Sequence, residues 1–267
     1  MNILLVYPEF PDSFWSFKHA LPFIHKRAAH PPLGLLTVAA MLPHTWTVRL
    51  VDANVRELTA EDLSWADCVF VSAMGVQRES ALQIIDRCNK RSVRVVAGGS
   101  LFTAEPEQFP QVDHLICGEA ELTLPNFLEE LDHGCAQHVY KATGYANLEA
   151  SPVPRWDLVN FDDYGTMSVQ YSRGCPYDCE FCDITALYGR KPRIKAAHQV
   201  IGELDALYDL GWRGSVFFVD DNLIGNKRRM KAELMPALAE RHRTRPGFEY
   251  NTQASINLAD DPELMDM

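Results

Sequence analysis

The sequence has no long hydrophobic run. Its longest apolar stretch, Leu33 to Leu42, is about half of a membrane span. A secretory leader is also missing: Met1-Asn2 runs straight into Ile3-Leu4-Leu5-Val6, a short apolar run without a basic start. Positive charge is scarce, with 25 Lys and Arg against 36 Asp and Glu, so the formal net charge of -11 argues against nucleic acid as a partner. The one dense basic cluster, Lys227-Arg228-Arg229, reads as a solvated helix face. Cysteines number seven, an odd count that suits a reducing compartment. Cys68, Cys88, Cys117 and Cys135 are scattered singly and read as buried thiols behaving as small hydrophobes. These absences describe a cytoplasmic chain with no transmembrane segment.

What is present is ordinary for a globular protein: 267 residues, 47% hydrophobic and 23% charged, enough for roughly two domains of ~100–200 residues each. In the first half, apolar runs at Ile3–Tyr7, Val48–Val51, Cys68–Ser72, Val93–Ala97 and His114–Cys117 alternate with helical patterns at Leu33–Leu42, Glu79–Lys90 and Glu121–Leu131. Strands alternating with helices predict an α/β fold, a flavodoxin-like doubly wound parallel sheet over residues 1–135. Residues 136–164 lose this rhythm, and Ser151-Pro152-Val153-Pro154 is extended, so a linker is expected there. A second alternation fills 165–267. Strands are expected at Met167–Ser172, Ser215–Val219 and Phe248–Ser255, and helices at Lys195–Leu210, stopped by Gly211, and Lys227–Arg243. Asp260-Asp261-Pro262-Glu263 reads as the start of another helix close to the end of the sequence.

The densest chemical signal is Arg173-Gly174-Cys175-Pro176-Tyr177-Asp178-Cys179-Glu180-Phe181-Cys182, a C-x3-C-x2-C spacing directly after an expected strand. Soft, anionic thiolates suit iron, and this spacing lets one loop place three sulfurs around one [4Fe–4S] cluster. With three cysteines at hand, one iron lacks a protein ligand, as in catalytic rather than structural centres. The competing reading is a zinc knuckle with a distant fourth ligand such as His198, but zinc usually takes pairs of the C-x2-C type and no second pair is present. Asp220-Asp221-Asn222 follows Val219 at a strand's carboxyl end, where barrel enzymes keep working groups; the plainer alternative is a cap for the next turn. In the first half, Gly98-Gly99-Ser100 and Gly118-Glu119-Ala120-Glu121 each end a strand. Glycines there admit a bulky ligand to the backbone, although turn geometry explains them as well.

With Phe181 before its last cysteine, the motif resembles that of the radical S-adenosylmethionine superfamily. The resemblance implies a [4Fe–4S] cluster on Cys175, Cys179 and Cys182. S-adenosylmethionine would chelate the open iron, and reductive cleavage of its S–C5′ bond would yield a 5′-deoxyadenosyl radical. It further implies S-adenosylmethionine contacts from Asp220 and Asp221, and from Gln253 and Ser255 on the third strand, Asn251-Thr252-Gln253-Ala254-Ser255. An electron donor such as flavodoxin or ferredoxin is implied as partner.

Together with Pro31-Pro32-Leu33-Gly34-Leu35 and Ser72-Ala73-Met74, the glycine turns resemble the cobalamin-binding domain that precedes many such cores. Contacts to cobalamin are thereby implied for Ser72, Gly98, Gly99, Ser100, Gly118 and Glu119. The Asp-x-His-x-x-Gly motif of other cobalamin proteins is absent, for none of the nine histidines follows an aspartate two positions earlier. A base-off cobalamin without a histidine ligand is implied. Phe14-Trp15-Ser16-Phe17, Pro32-Leu33-Gly34-Leu35-Leu36-Thr37-Val38-Ala39-Ala40 and Val216-Phe217-Phe218-Val219-Asp220-Asp221-Asn222 look like the subgroup containing the hopanoid C-2 methyltransferases. On that likeness, 165–267 is the N-terminal half of a partial (β/α)6 barrel, truncated before it can close.

The leading expectation is a cobalamin-dependent radical C-methyltransferase acting on an unactivated carbon of a small molecule or a hopanoid-like lipid, the latter placing it peripherally at a membrane. The alternatives are a radical enzyme of another reaction type (cyclisation, ring contraction, methylthiolation) and a non-catalytic fragment that binds cobalamin and the cluster. Three strands cannot close a barrel, and the last leaves an edge unpaired.

Overall fold

β1 (Asn2–Tyr7), β2 (Thr47–Asp52), β3 (Cys68–Ser72), β4 (Arg94–Gly98), β5 (His114–Cys117) and β6 (Val139–Lys141) form one sheet in the order β2-β1-β3-β4-β5-β6, every pair parallel. The computed structural model that gives this arrangement describes residues 1–267, the side chain of Trp15 excepted. The Trp15 side chain, part of one stretch used above, therefore lies outside the described residues. By internal contacts the chain divides into a first unit, Met1–Ala146 with Asp157–Gly165, and a second, Asn147–Trp156 with Thr166–Met267.

The strands of the first unit read as nearly continuous apolar runs because both faces of the sheet are covered. Along β1, Leu4 and Val6 enter a core with Val69, Val71, Val95, Ile85 and Phe102, while Ile3 and Leu5 enter the opposite one with Phe70, Val96, Leu35, Leu124 and Phe127. The covering helices are α1 (Leu33–Met41), α2 (Ala60–Trp65), α3 (Arg78–Asn89), α4 (Ser100–Ala104) and α5 (Ala120–Asp132). The strand order is the flavodoxin-like one with a sixth strand added, and its switch point falls between β1 and β3.

Two short helices escaped the sequence reading. α2 carries a capping box: the Thr59 hydroxyl accepts from the Asp62 amide at 3.1 Å, and the Asp62 carboxylate accepts from the Thr59 amide at 2.9 Å. α4 follows Gly99 directly, with no polar cap to announce it.

Residues 136–164, expected as a linker, carry structure of their own. Val139–Lys141 pairs with β5 as β6, and Tyr140 packs its ring on Phe127 with centroids 5.4 Å apart. Further on, the Tyr164 hydroxyl donates to buried Asp52 at 3.1 Å, and Gly165 N donates to Ala28 O at 2.9 Å. A three-residue strand is too short to show a period, so the sequence pattern missed it. Cys68, Cys88 and Cys117 are buried as expected, whereas Cys135 is exposed. It follows Gly134, whose φ of 70° turns the chain outward after α5.

In the second unit, β7 (Met167–Val169), β10 (Ser215–Phe218) and β11 (Glu249–Thr252) form a parallel sheet in the order β11-β10-β7. The strand expected over Met167–Ser172 breaks after Val169. Its last part turns aside as β8 (Ser172–Arg173), antiparallel to β9 (Arg193–Ile194). The helices are α6 (Ile184–Tyr188), α7 (Ala197–Asp209), α8 (Lys227–Arg229), α9 (Met235–Thr244) and α10 (Pro262–Asp266). α7 buries Val200, Leu204 and Leu207 and ends at Gly211, whose φ is 100°. The helix expected over Lys227–Arg243 is interrupted by a π-helical turn, Met230–Leu234. Pro236 lacks an amide proton and crowds the preceding turn, which widening relieves. Among the described residues no helix is long and apolar enough to cross a membrane.

Candidate functional site

The first cluster of expected residues lies at the carboxyl edge of β3, β4 and β5. Ser72 ends β3 beside Gly98, its register partner at the end of β4. Gly99 follows with φ 93° and ψ 179°, a region open to glycine. A Cβ there would sit 2.8 Å from both the Ala73 carbonyl and the Ser72 hydroxyl. Leu101 N donates to Ala73 O at 3.1 Å and Ala73 N to Gly98 O at 3.2 Å, so the two strand ends are locked together. Ser100 opens α4, and Gly118, at φ 88°, ends β5 with its amide on Thr103 Oγ1 at 2.9 Å. Ser72, Gly98, Gly99, Ser100 and Gly118 are half-buried and expose backbone and small side chains along one edge. That poverty of bulk suits a large flat ligand at the crevice of a doubly wound sheet. Glu119 is buried, and its Oε2 accepts from the Ala146 amide at 2.5 Å, so its carboxylate holds the chain after β6.

Sequence reading missed a polar knot at the ends of β1 and β2. Asp52 is buried and accepts from Asn54 N at 2.9 Å, Asn54 Nδ2 at 2.7 Å and the Tyr164 hydroxyl. Burial pushes its carboxyl above the usual carboxylate range, against the pull of those donors. Gln77 ties the next loop to the same edge, donating to Pro8 O at 2.6 Å.

The second cluster surrounds the cysteine motif, which leaves β8 and returns through β9. Cys175, Cys179 and Cys182 are free thiols, Cys179 exposed and the other two half-buried. Gly174 begins the excursion with φ 93°, and a Cβ there would lie 2.9 Å from Gly189 O and 3.0 Å from Tyr188 O. Cys182 N donates to Cys179 O at 3.0 Å, and Asp178 pairs with Arg190. Phe181, the aromatic residue of the motif, is 91% exposed. Among the described residues no three His, Cys, Asp or Glu side chains are gathered at metal-binding distance. That holds alike for a zinc site recruiting His198 and for a cluster site on the three cysteines. The donor set nevertheless fits an iron–sulfur cluster: three reduced, accessible, soft ligands on one loop.

Asp220 lies just after β10. It is 2% exposed, and its carboxylate accepts from Tyr171 N at 3.0 Å, Ser172 Oγ at 2.5 Å and Ser172 N. Burial raises its carboxyl to about 6 against those three donors. Its partners lie at the base of the cysteine loop. Half-buried Asp221 accepts from Gly174 N at 2.9 Å. Gln253 is exposed. Ser255 donates to Asn257 Oδ1 at 2.6 Å, while Asn257 Nδ2 donates to the Tyr177 hydroxyl, inside the cysteine loop, at 2.7 Å. Asn257 was not singled out from the sequence, since a single amide carries no spacing signal.

Comparison with known proteins agrees with both halves. Residues 24–128 match the B12 binding domain family. Over its full length the chain is 46% identical to an uncharacterized methyltransferase of Synechocystis, of which it covers 50%. It is 41% identical, again over its full length, to the hopanoid C-2 methylase of Rhodopseudomonas palustris, of which it covers 51%. A solved structure of the radical S-adenosylmethionine methyltransferase TsrM from Kitasatospora setae, with cobalamin and [4Fe-4S] cluster bound, shares the fold at a TM-score of 0.67 and 15% identity, over 92% of this chain and 52% of that one.

Fold and family match thus define an α/β protein with a B12 binding domain, whose fold as a whole is shared with that methyltransferase. The chain spans about half the length of the curated relatives it matches. Residues 24–128 belong to the B12 binding domain family, and over its full length the chain is similar to the hopanoid C-2 methylase and to an uncharacterized methyltransferase.

Proposed function

We propose that the chain forms the cobalamin- and cluster-binding half of a radical S-adenosylmethionine methyltransferase acting on a small-molecule or lipid-like substrate. One observation carries this reading: three free thiols on one loop, which leaves β8 a few residues beyond parallel strand β7, in a chain that also carries a B12-binding domain. Cys175, Cys179 and Cys182 would hold the cluster. Asp221, Gln253 and Ser255 stand on the loops after β10 and β11 and would meet S-adenosylmethionine. When bound, the cluster supplies the electron that cleaves S-adenosylmethionine and cobalamin carries the methyl group.

The chain's own residues supply position. Gly98, Gly99 and Gly118 let the strand ends of the first sheet pack closely on neighbouring backbone, and with Ser72 and Ser100 they would offer a corrin an edge of small residues. Lacking a histidine at the required spacing, the chain would bind cobalamin base-off. Asp220 and Asp221 hold the entrance of the cysteine loop by its amides. A small protein reductant such as flavodoxin or ferredoxin would deliver the electron. The protein would work in the cytoplasm, peripherally at a membrane when its substrate is a lipid.

Anaerobic reconstitution with iron and sulfide, followed by iron counting and optical spectra with and without hydroxocobalamin, tests both cofactors. The expected result is about four irons per chain, lost in the Cys175→Ala, Cys179→Ala and Cys182→Ala variants, and a cobalamin spectrum retained by all three. Stoichiometric zinc in place of iron would overturn the cluster assignment. Absence of cobalamin binding would overturn the other half. Transfer of deuterated methyl from labelled S-adenosylmethionine to product separates methyl transfer from cyclisation, ring contraction and other radical outcomes.

A further inference from the structure

The cysteine motif lies on a lobe, residues 174–192, whose two ends are zipped together. Ser172 pairs with Ile194 and Arg173 with Arg193 in an antiparallel ladder. Lys195 N donates to Tyr171 O at 2.8 Å, and Cys175 N donates to Gly189 O at 3.2 Å. Two buried carboxylates grip this stem from different elements. Asp220, just after β10, takes Tyr171 N together with the amide and hydroxyl of Ser172. Glu203, on α7, takes the Lys195 ammonium that ends the returning strand. Asp220, Glu203, Lys195 and Ser172 are 2%, 1%, 4% and 2% exposed.

Stability alone does not account for such an arrangement. A buried ion pair gains little over apolar packing of the same volume. Here Glu203 also leaves its second oxygen, Oε2, without a hydrogen-bond partner among the described residues, a feature that normally marks a group kept for some other reason. Charge-assisted hydrogen bonds to backbone amides fix position more tightly than neutral ones. The stem is where position matters, because the lobe beyond it carries three free cysteines that are not gathered into a preformed metal-binding group among the described residues.

We propose that Asp220 and Glu203 are positioning residues that lock the stem of the cysteine lobe, so that only its tip must rearrange when a cluster is taken up. The proposal rests on the reading of Cys175, Cys179 and Cys182 as cluster ligands, but its central measurement does not. Amide hydrogen exchange is followed in the cluster-free 267-residue protein and in the Asp220→Asn, Glu203→Gln and Ser172→Ala variants. Removing a charged acceptor is expected to speed exchange at residues 171–174 and 193–195 about tenfold or more. Amides of β10 and β11 should keep their rates, whereas loss of a merely structural group would accelerate those as well. Ser172→Ala removes one donor and leaves the backbone pair, so it should fold and show a smaller acceleration confined to the same amides.

A second readout is iron retention after reconstitution: chelator should strip iron about tenfold faster from Asp220→Asn and Glu203→Gln than from the parent protein. The reduced-cluster electron paramagnetic resonance signal should broaden in both. Stem exchange at parent rates in the variants would overturn the proposal, as would acceleration spread evenly over the second unit. If the parent protein takes up no iron, the cluster reading falls, while the exchange data still decide the clamp.

Discussion

Gly99→Ala is the sharpest test of the β3–β4 edge. The residue sits at φ 93° and ψ 179°, a region that side-chain-bearing residues enter at about 1–3 kcal/mol. Its new Cβ would also stand 2.8 Å from the Ala73 carbonyl and 2.8 Å from Ser72 Oγ. The carbonyl cannot swing aside, because it accepts the Leu101 amide at 3.1 Å. Relieving the contact therefore displaces the end of β3, an overpacking of ~1–3 kcal/mol. Together these give a loss of about 2–6 kcal/mol, or roughly 5–20 °C in thermal midpoint for a unit of this size. Gly34→Ala is the control, since a Cβ at Gly34 meets nothing within 4 Å and the residue is helical. That variant should stay within about 1 kcal/mol of the parent. Calorimetry reads the first unit's transition, and titration with hydroxocobalamin reads the edge itself. A Gly99→Ala protein within about 0.5 kcal/mol of the parent, below any named mechanism of large destabilisation, would refute the reasoning. A protein destabilised as expected but with unaltered cobalamin affinity would leave Gly99 as a turn residue alone.

The remaining predictions concern the core, the thiols and acid stability. Phe127→Ala removes a fully buried ring packed on Phe70 and Tyr140, and chemical denaturation should show a loss of ~3–5 kcal/mol. Burial pushes the Cys68 thiol up to about 12 and that of Cys88 to about 11, so brief alkylation of the cluster-free protein at about pH 8, read by mass spectrometry, should label Cys135, Cys175, Cys179 and Cys182 first; early labelling of Cys68 would contradict the fold. The Arg56 guanidinium hydrogen-bonded to Asp62 holds its carboxyl down at about 2 against an ordinary 3.8. A depressed carboxyl stabilises the fold above its unfolded value and loses that contribution as pH falls through the folded one. Arg56→Gln should therefore weaken the protein near neutrality and flatten its acid limb between about 4 and 2, as followed by circular dichroism.

Sequence pattern located the elements whose signal is long and periodic. Helix α3 was legible because its apolar residues recur on one face, and β3 because Cys68 to Ser72 is short, apolar and bounded. β6 was not: Val139, Tyr140 and Lys141 alternate exposed, buried and exposed over too few residues to outweigh the polar sequence around them. The break of the strand after Val169 was equally invisible, since Ser172 leaves the sheet by bonding to Asp220, which lies 48 positions further along. In the candidate site, the cysteines and the glycines announced themselves through spacing and through backbone geometry that glycine alone supplies. The inward turn of Asp220 and Glu119 did not, because an acidic residue at a strand end looks the same whether it meets a ligand or its own backbone. Glu203 was not singled out: it shares the helical face of Val200, Leu204 and Leu207, and its burial on the Lys195 ammonium carries no spacing signal.

The path of the chain between its two units has a consequence for anyone who wishes to transplant either one. Residues 147–156 belong to the second unit, but 157–165 return to the first before the chain leaves it again. No single cut yields two self-sufficient pieces. A fragment ended at Ala146 forfeits the Tyr164 phenol and leaves the Asp52 carboxylate short of one donor in a dry setting, a penalty of about 1–3 kcal/mol. Chimeras that exchange one unit among relatives should therefore keep 157–165 with the first unit and 147–156 with the second.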